Sequence, residues 1–138
     1  MFSIGALSKQ TGVKVPTIRY YEQIGLIDPA DRTQGNQRRY NDEALQRLGF
    51  IKHARELGFS IETITALIDL NNHPDRSCAE ATRIAHEQLT DVRERIASLV
   101  RLESELVRIS DGCKGAGVVS DCYVLASLAD HSHCETQH

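Results

Sequence analysis

The chain has 138 residues, of which 41% are hydrophobic and 25% charged, and its net charge is −3. This length predicts one small domain with an extension, and the average charge favours neither a nucleic acid nor a membrane as partner. The charge is unevenly distributed, however. Residues 1–57 carry nine Lys/Arg and six Asp/Glu, hence +3, whereas residues 58–138 carry seven and thirteen, hence −6. A basic front joined to an acidic rear indicates that only the front half meets an anionic partner.

The first residues, "MFSIGALSKQ", have neither a basic start nor a long apolar core, so no signal peptide is predicted. No apolar run in the chain approaches the roughly 20 residues that span a bilayer. We therefore expect a cytoplasmic protein without a membrane partner, in which the four cysteines stay reduced. In that setting cysteines predict metal binding or redox chemistry before disulfide bonds.

Two short helices with a tight connection are predicted at the front. Ser3 is a good N-cap for "IGALSKQT", which ends at Gly12. Pro16 suits the first turn of "PTIRYYEQI", which ends at Gly25, and "TGVKV" joins the two segments. A helix, a short turn that contains glycine and a second helix form the helix-turn-helix pattern.

A wing and two further helices follow. The segment "GLIDPADRTQGNQRRY" predicts a two-stranded wing that turns at Gly35–Asn36. Asn41 caps the next helix, Gly58 ends it, and Ser60 caps a fourth helix, "IETITALIDL". The apolar face of the third helix is expected to consist of Leu45, Leu48, Ile51 and Leu57.

A long amphipathic helix is predicted from Cys78 to about Ser110, where the chain has no Gly or Pro. Apolar residues recur in it at steps of three and four: Leu89, Val92, Ile96, Leu99, Leu102, Leu106 and Ile109. Such a stripe needs a partner helix, and the simplest partner is a second copy, which gives a homodimer. A cysteine-bearing loop, a short apolar turn "CYVLASLA" and a polar tail close the chain.

The predicted fold is therefore mainly α. We divide the chain into a winged helix-turn-helix domain over residues 1–71, a dimerisation helix over residues 78–110, and a loop and tail over residues 111–138.

The start of the second helix and the wing carry side chains suited to DNA. On the helix these are Thr17, Arg19, Tyr20 and Tyr21, and on the wing Arg38, Arg39 and Tyr40. Arginine binds guanine or phosphate with two hydrogen bonds, while Thr and Tyr hydroxyls mostly bind phosphate oxygens. The alternative is that the tyrosines are core aromatics and the arginines a solvated face. Of the two adjacent tyrosines, we expect one to pack inward.

The cysteines could be metal ligands, a redox pair or small buried hydrophobes. Cys78 stands at a helix N-terminus, where the dipole favours thiolate, and Cys113 and Cys122 bracket a glycine-bearing loop. A helix of this length spans about 48 Å, so Cys78 and Cys113 of one chain cannot share an ion. A third reading is an enzyme with a Cys nucleophile and His86 or His131. It has no support, because no activating base or substrate-cradling motif accompanies a cysteine.

The segments "TIRYYEQIGLI", "GNQRRY" and "LGFIKHARELGFSIETI" resemble the MerR family of bacterial transcription regulators over about residues 1–71. The resemblance implies a winged helix-turn-helix, a long antiparallel dimer helix and a short effector domain. It also implies double-stranded promoter DNA and RNA polymerase as partners. Position by position, Thr17, Arg19 and Tyr20 should contact DNA from the helix, and Arg38 and Tyr40 from the wing. Gln37 departs from the hydrophobe expected there.

With antiparallel helices, Cys78 of one subunit faces Cys113 and Cys122 of its partner. This arrangement resembles the metal-sensing branch of the family, whose copper(I) sensors usually have Ser where Cys78 stands. The resemblance therefore implies a divalent soft metal as effector (Cd²⁺, Hg²⁺, Pb²⁺ or Zn²⁺) and activation of metal-resistance or efflux genes. The alternative within the family is an oxidant sensor that forms a Cys113–Cys122 disulfide.

The histidines and the cysteine of the tail are candidates for accessory metal ligands. They are His131, His133 and Cys134 in "HSHCETQH". The alternative is a disordered tail without a ligand role.

Overall fold

The computed structural model describes residues 1–28, 31–32, 35, 38–112, 117–119 and 122–129. Over these residues the chain is mainly α-helical, as predicted, with two short strands. It divides into two compact units, Met1–Ile84 and Ala85–His138. No helix among the described residues combines the length and the apolar character needed to cross a membrane.

The first two helices form the predicted helix-turn-helix. Helix α1 spans Ile4–Thr11, and its N-cap Ser3 accepts a hydrogen bond from the Ala6 N–H (3.1 Å). Gly12 ends the helix in a left-handed conformation (φ 77°), which glycine adopts without steric cost. Helix α2 spans Val15–Gln23 and carries a proline in its first turn.

The wing is a two-stranded antiparallel ribbon. Strand β1 spans Asp31–Arg32 and strand β2 Arg38–Arg39, with Asp31 opposite Arg39. Gly35 lies in the connecting turn as predicted, while Asn36 lies outside the described residues. The backbones of Phe2 and Tyr40 also exchange two hydrogen bonds (2.6 and 2.7 Å), so the start of the chain pairs with the end of the wing. The sequence did not indicate this pairing.

Two helices complete the first unit. Helix α3 spans Asp42–Glu56 and helix α4 Ile61–Asn71; their predicted N-caps, Asn41 and Ser60, both accept backbone hydrogen bonds. The prediction that Leu57 belongs to the apolar face of α3 is wrong. Leu57 is the C-cap of α3 and is 54% exposed, because about 100° per residue places it on the side of the helix opposite the buried Leu48.

One apolar core holds the first unit together. Its completely buried members come from all four helices: Leu7, Ile18, Leu48, Ile51 and Ile64. Burying one such side chain contributes about 1.5–3 kcal/mol to stability. The core therefore fixes the direction of α2 and the position of the wing that follows it in the chain.

Two further helices follow α4. Helix α5 spans Ala79–Asp111, in close agreement with the predicted long helix, and helix α6 spans Tyr123–Ala129. The prediction of a short apolar turn at "CYVLASLA" is thus wrong, since most of that segment is helical.

Candidate DNA-binding surface and cysteine sites

Helix α2 separates its four candidate DNA-binding residues into two groups. Arg19 is exposed, Tyr20 is 49% exposed and Thr17 is half-buried. Tyr21 is buried next to Ile18 on the core side, and its ring lies 6.0 Å from the ring of Tyr20. One of the adjacent tyrosines therefore packs inward, as expected, and of the four candidates the other three stay accessible on α2.

Tyr40 lies in the core and not on the surface of the wing. Its side chain is 1% exposed, and its hydroxyl donates a hydrogen bond to Glu22 Oε2 on α2 (2.5 Å). The predicted DNA contact of Tyr40 is therefore not supported, because a buried ring cannot reach a phosphate. Its place indicates a structural role: it joins the end of the wing to α2. The backbone of Arg38 lies in β2, and its side chain is outside the described set.

Cys78 directly precedes α5, and its carbonyl oxygen accepts a hydrogen bond from the Thr82 N–H (2.9 Å) in the first turn. The residue is exposed and lines a groove of about 320 Å³ in the first unit. Apolar side chains dominate the floor of this groove, among them Phe50, Leu67, Leu70 and Ala81. Its opening to solvent leaves the Cys78 thiol accessible to a ligand or to another chain.

Cys122, the last of the three cysteines predicted to bind metal, lies directly before α6. It is half-buried, its N–H donates to the Val119 carbonyl (3.1 Å), and its own carbonyl accepts from the Ala126 N–H (3.1 Å). The other candidate ligands lie outside the described residues: Cys113, His131, His133 and Cys134. Among the residues that are described, no three His, Cys, Asp or Glu side chains come together in a group that could hold a metal ion.

A charged cluster near the end of α5, which the sequence analysis missed, holds α6. Arg108 donates from Nη2 to Glu105 Oε2 (2.8 Å) and from Nη1 to the hydroxyl of Tyr123 (2.6 Å). The hydrogen bond with Glu105 raises the pKa of Arg108 above its ordinary value. We call these three residues the C-terminal clamp. Glu105 is only 6% exposed, although its place in the sequence looks like that of a solvated charge.

The outer face of α5 exposes a stripe of large apolar side chains. Ile96 is 55% exposed, Leu99 62% and Leu106 63%. Leu99, Leu102 and Leu106 also line an open, mostly apolar groove of about 540 Å³ on this helix. Exposed apolar side chains at helical spacing are typical of a helix that pairs with another helix.

A helix-turn-helix with a wing, followed by a long helix with an apolar stripe, defines a DNA-binding transcription regulator. The sequence matches the family model described as MerR HTH family regulatory protein over residues 2–70, and the model described as MerR, DNA binding, over residues 45–109. The chain therefore belongs to the MerR family of regulatory proteins, which confirms the resemblance seen in the sequence.

Known relatives match nearly the whole chain. The HTH-type transcriptional regulator ZntR of Escherichia coli K12 is 41% identical over 130 residues, which cover 93% of this chain and 92% of ZntR. The structure of PbrR691 from Ralstonia metallidurans CH34 in complex with lead(II) has a TM-score of 0.79 and 34% identity, over 93% of this chain and 99% of that one. MerR from Bacillus megaterium MB1 in complex with mercury(II) has a TM-score of 0.68 and 28% identity, over 94% and 100% of the two chains.

Proposed function

We propose that the protein is a metal-responsive transcription regulator that binds promoter DNA as a homodimer. It activates genes for metal resistance or efflux when a divalent soft metal binds cysteines shared by the two subunits. The DNA surface consists of Thr17, Arg19 and Tyr20 on α2 together with Arg38 on the wing. RNA polymerase at the same promoter is the partner that responds to the change caused by metal binding. The protein itself catalyses no reaction.

The observation that carries this proposal is the exposed apolar stripe of α5, which lies between a cysteine at one end of the helix and cysteines beyond the other end. A 33-residue helix is about 50 Å long. Cys78 and the loop that contains Cys113 and Cys122 are therefore too far apart to share an ion within one chain. Antiparallel pairing of two α5 helices covers both stripes and brings Cys78 of each subunit to the loop of the other.

The chemistry of the donors fits a thiophilic ion. Three thiolates select soft or borderline metals, and Hg²⁺, Cd²⁺, Pb²⁺ and Zn²⁺ all accept such a set. The structures of PbrR691 with lead(II) and of MerR with mercury(II) support a metal effector of this class.

The position of Cys78 suggests how binding reaches the DNA. A bound ion would tie Cys78 to the thiols of the other subunit. Cys78 lines a groove together with Phe50 of α3 and Leu70 of α4, so a shift at Cys78 would act on two helices that share one core with α2. Bending or untwisting a DNA site costs about 1–6 kcal/mol. A thiolate metal site supplies about 10 kcal/mol or more, which is enough to drive the change.

Transcription in vitro with purified RNA polymerase tests the proposal. With Pb²⁺ as the probe and a reductant present, transcription from the operator promoter should rise for the parent chain and stay at its basal level for Cys78→Ser. Thr90→Ser is the control and should respond like the parent, since Thr90 is an exposed residue of α5 outside the proposed site and the apolar stripe. A response to an oxidant in place of the metal, or a full metal response by Cys78→Ser, would refute the proposal.

A further inference from the structure

The C-terminal clamp ties together the two ends of the loop that carries Cys113 and Cys122. Tyr123, at the start of α6, reaches back to Arg108 on α5 through the 2.6 Å hydrogen bond. Its ring also packs against Gly112, so closely that a Cβ at position 112 would lie 1.8 Å from Tyr123 Cδ1. Any other residue at position 112 would therefore push the ring away, which explains a glycine at the end of α5.

These contacts bear directly on the loop cysteines through the covalent chain. Cys113 is the residue after Gly112, and Cys122 is the residue before Tyr123. Consecutive Cα atoms are about 3.8 Å apart, so each cysteine is bonded to a residue whose place is fixed by the contact between Gly112 and Tyr123. Without the contact, closing the loop would cost conformational entropy at the moment of binding.

The buried carboxylate of Glu105 fixes the direction in which Arg108 donates to Tyr123. Arg108 donates to Glu105 with one nitrogen and to Tyr123 with another, so the pair on α5 presents a fixed donor to the hydroxyl on α6. The guanidinium carbon also lies 6.0 Å from the centre of the Tyr123 ring, at the limit of a cation–π contact. The ring is thus held by its hydroxyl at one end and by Gly112 along its edge.

We infer that Arg108 and Tyr123 are positioning residues of the metal site: before the ion arrives, their contact holds in place Gly112 and Tyr123, the residues bonded to Cys113 and Cys122. This inference rests on the proposed function. Neither residue ligates the ion in this scheme. Each lowers the free-energy cost of bringing the two thiols together, as residues that orient metal ligands do in other proteins.

The test is a double-mutant cycle on the full-length dimer with Pb²⁺ as the probe. Affinity is measured by competition with a chromophoric chelator, and the ligand set by the sulfur-to-lead absorption band. Tyr123→Phe keeps the ring against Gly112 and removes only the hydroxyl, and Arg108→Gln removes the guanidinium that donates to it. Each single variant should bind Pb²⁺ about tenfold more weakly. The double variant should also lose about tenfold, because both changes break one contact.

Controls separate positioning from folding. Arg101→Gln removes an exposed arginine from the same helix and should bind Pb²⁺ like the parent. Arg108→Lys, which keeps the charge, should recover part of the affinity lost in Arg108→Gln. The metal-free variants should keep the parent's helix content by circular dichroism and its affinity for operator DNA, neither of which depends on the loop.

The outcomes distinguish this inference from the proposed function. If the parent requires Cys113 and Cys122 for Pb²⁺ binding but Tyr123→Phe and Arg108→Gln bind as tightly as the parent, the positioning role alone is wrong. A double variant about a hundredfold weaker would show two independent effects and also contradict the clamp. If Pb²⁺ binding by the parent does not depend on Cys113 and Cys122, the proposed site fails, and the positioning role fails with it.

Discussion

At the scale of single residues, Tyr20 and Tyr21 show how a helix directs one of two neighbouring side chains to the surface proposed to bind DNA and the other to the core. Successive residues on a helix point about 100° apart, so adjacent side chains cannot both face outward in the same direction. Tyr21 shares a face with the completely buried Ile18, three residues before it, and Tyr20 does not. That i, i+3 spacing was present in the sequence and would have assigned the inward tyrosine correctly.

Arg19 and Arg38 should affect DNA binding in different ways. Arg19→Ala should weaken operator binding about tenfold or more and reduce discrimination between sequences, because a base contact by arginine is worth about 1–3 kcal/mol. Arg38→Ala should weaken binding to all sequences and lower the salt slope by about one, as the loss of a phosphate contact does. Fluorescence anisotropy at several salt concentrations measures both effects. Unchanged affinity in both variants would contradict the assignment, and Arg93→Ala, on α5, is the control.

Tyr40 should act through stability and not through a DNA contact. Tyr40→Phe removes a hydrogen bond to the Glu22 carboxylate and should lower the free energy of unfolding by about 1–2 kcal/mol in urea denaturation. Tyr20→Phe, at an exposed position, should change it by less than about 0.5 kcal/mol. If Tyr40→Phe unfolds like the parent but binds DNA as weakly as Arg19→Ala, Tyr40 contacts DNA as the sequence had suggested.

At the scale of elements, the helices of the first unit could be predicted because local signals mark their ends. Ser3, Asn41 and Ser60 each cap a helix with the hydrogen bond that their side chains favour. The pairing of Phe2 with Tyr40 could not be predicted, because it joins residues far apart in sequence and has no periodic pattern. Helix α6 could not be predicted from periodicity, because seven residues are too few to show a reliable one. Its first residue, Tyr123, contacts the end of α5.

The candidate site was predictable to a smaller extent than the fold. Cys78 and Cys122 stood out as candidates because few residue types bind soft metals. The place of Cys78 at a helix start followed from the sequence, whereas that of Cys122 before α6 did not, because its segment was predicted as a turn. The C-terminal clamp did not stand out. Glu105 and Arg108 form an i, i+3 pair like many solvated pairs, and only the three-dimensional contact of Tyr123 with α5 shows why Glu105 is buried.

The apolar stripe of α5 should hold the dimer. Ile96→Asp would bury an unpaired charge at a helix pair and should break or badly weaken the dimer. Ala97→Asp adds the same charge about 100° around the helix, at an exposed position outside the stripe, and should leave the dimer intact. Sedimentation equilibrium measures both. If Ile96→Asp remains as dimeric as the parent and has the same thermal midpoint, the stripe does not form the interface.

At the scale of the whole molecule, the account depends on a metal site that belongs to two chains at once. In the proposed function, the basic front half binds the anionic DNA and the acidic rear half senses the ion. The long α5, which begins directly after Cys78, would then carry the effect of a tie between the thiols to the DNA-binding helices.

A mixed dimer tests this central claim most directly. One chain carries Cys78→Ser and the other Cys113→Ser/Cys122→Ser, and separate affinity tags allow the mixed species to be purified from the two homodimers. One of the two proposed sites then keeps all three thiols and the other keeps none. The account predicts that the mixed dimer binds one Pb²⁺ ion tightly, while neither homodimer binds any tightly. Full tight binding by the Cys78→Ser homodimer, or none by the mixed dimer, would contradict a site shared between subunits.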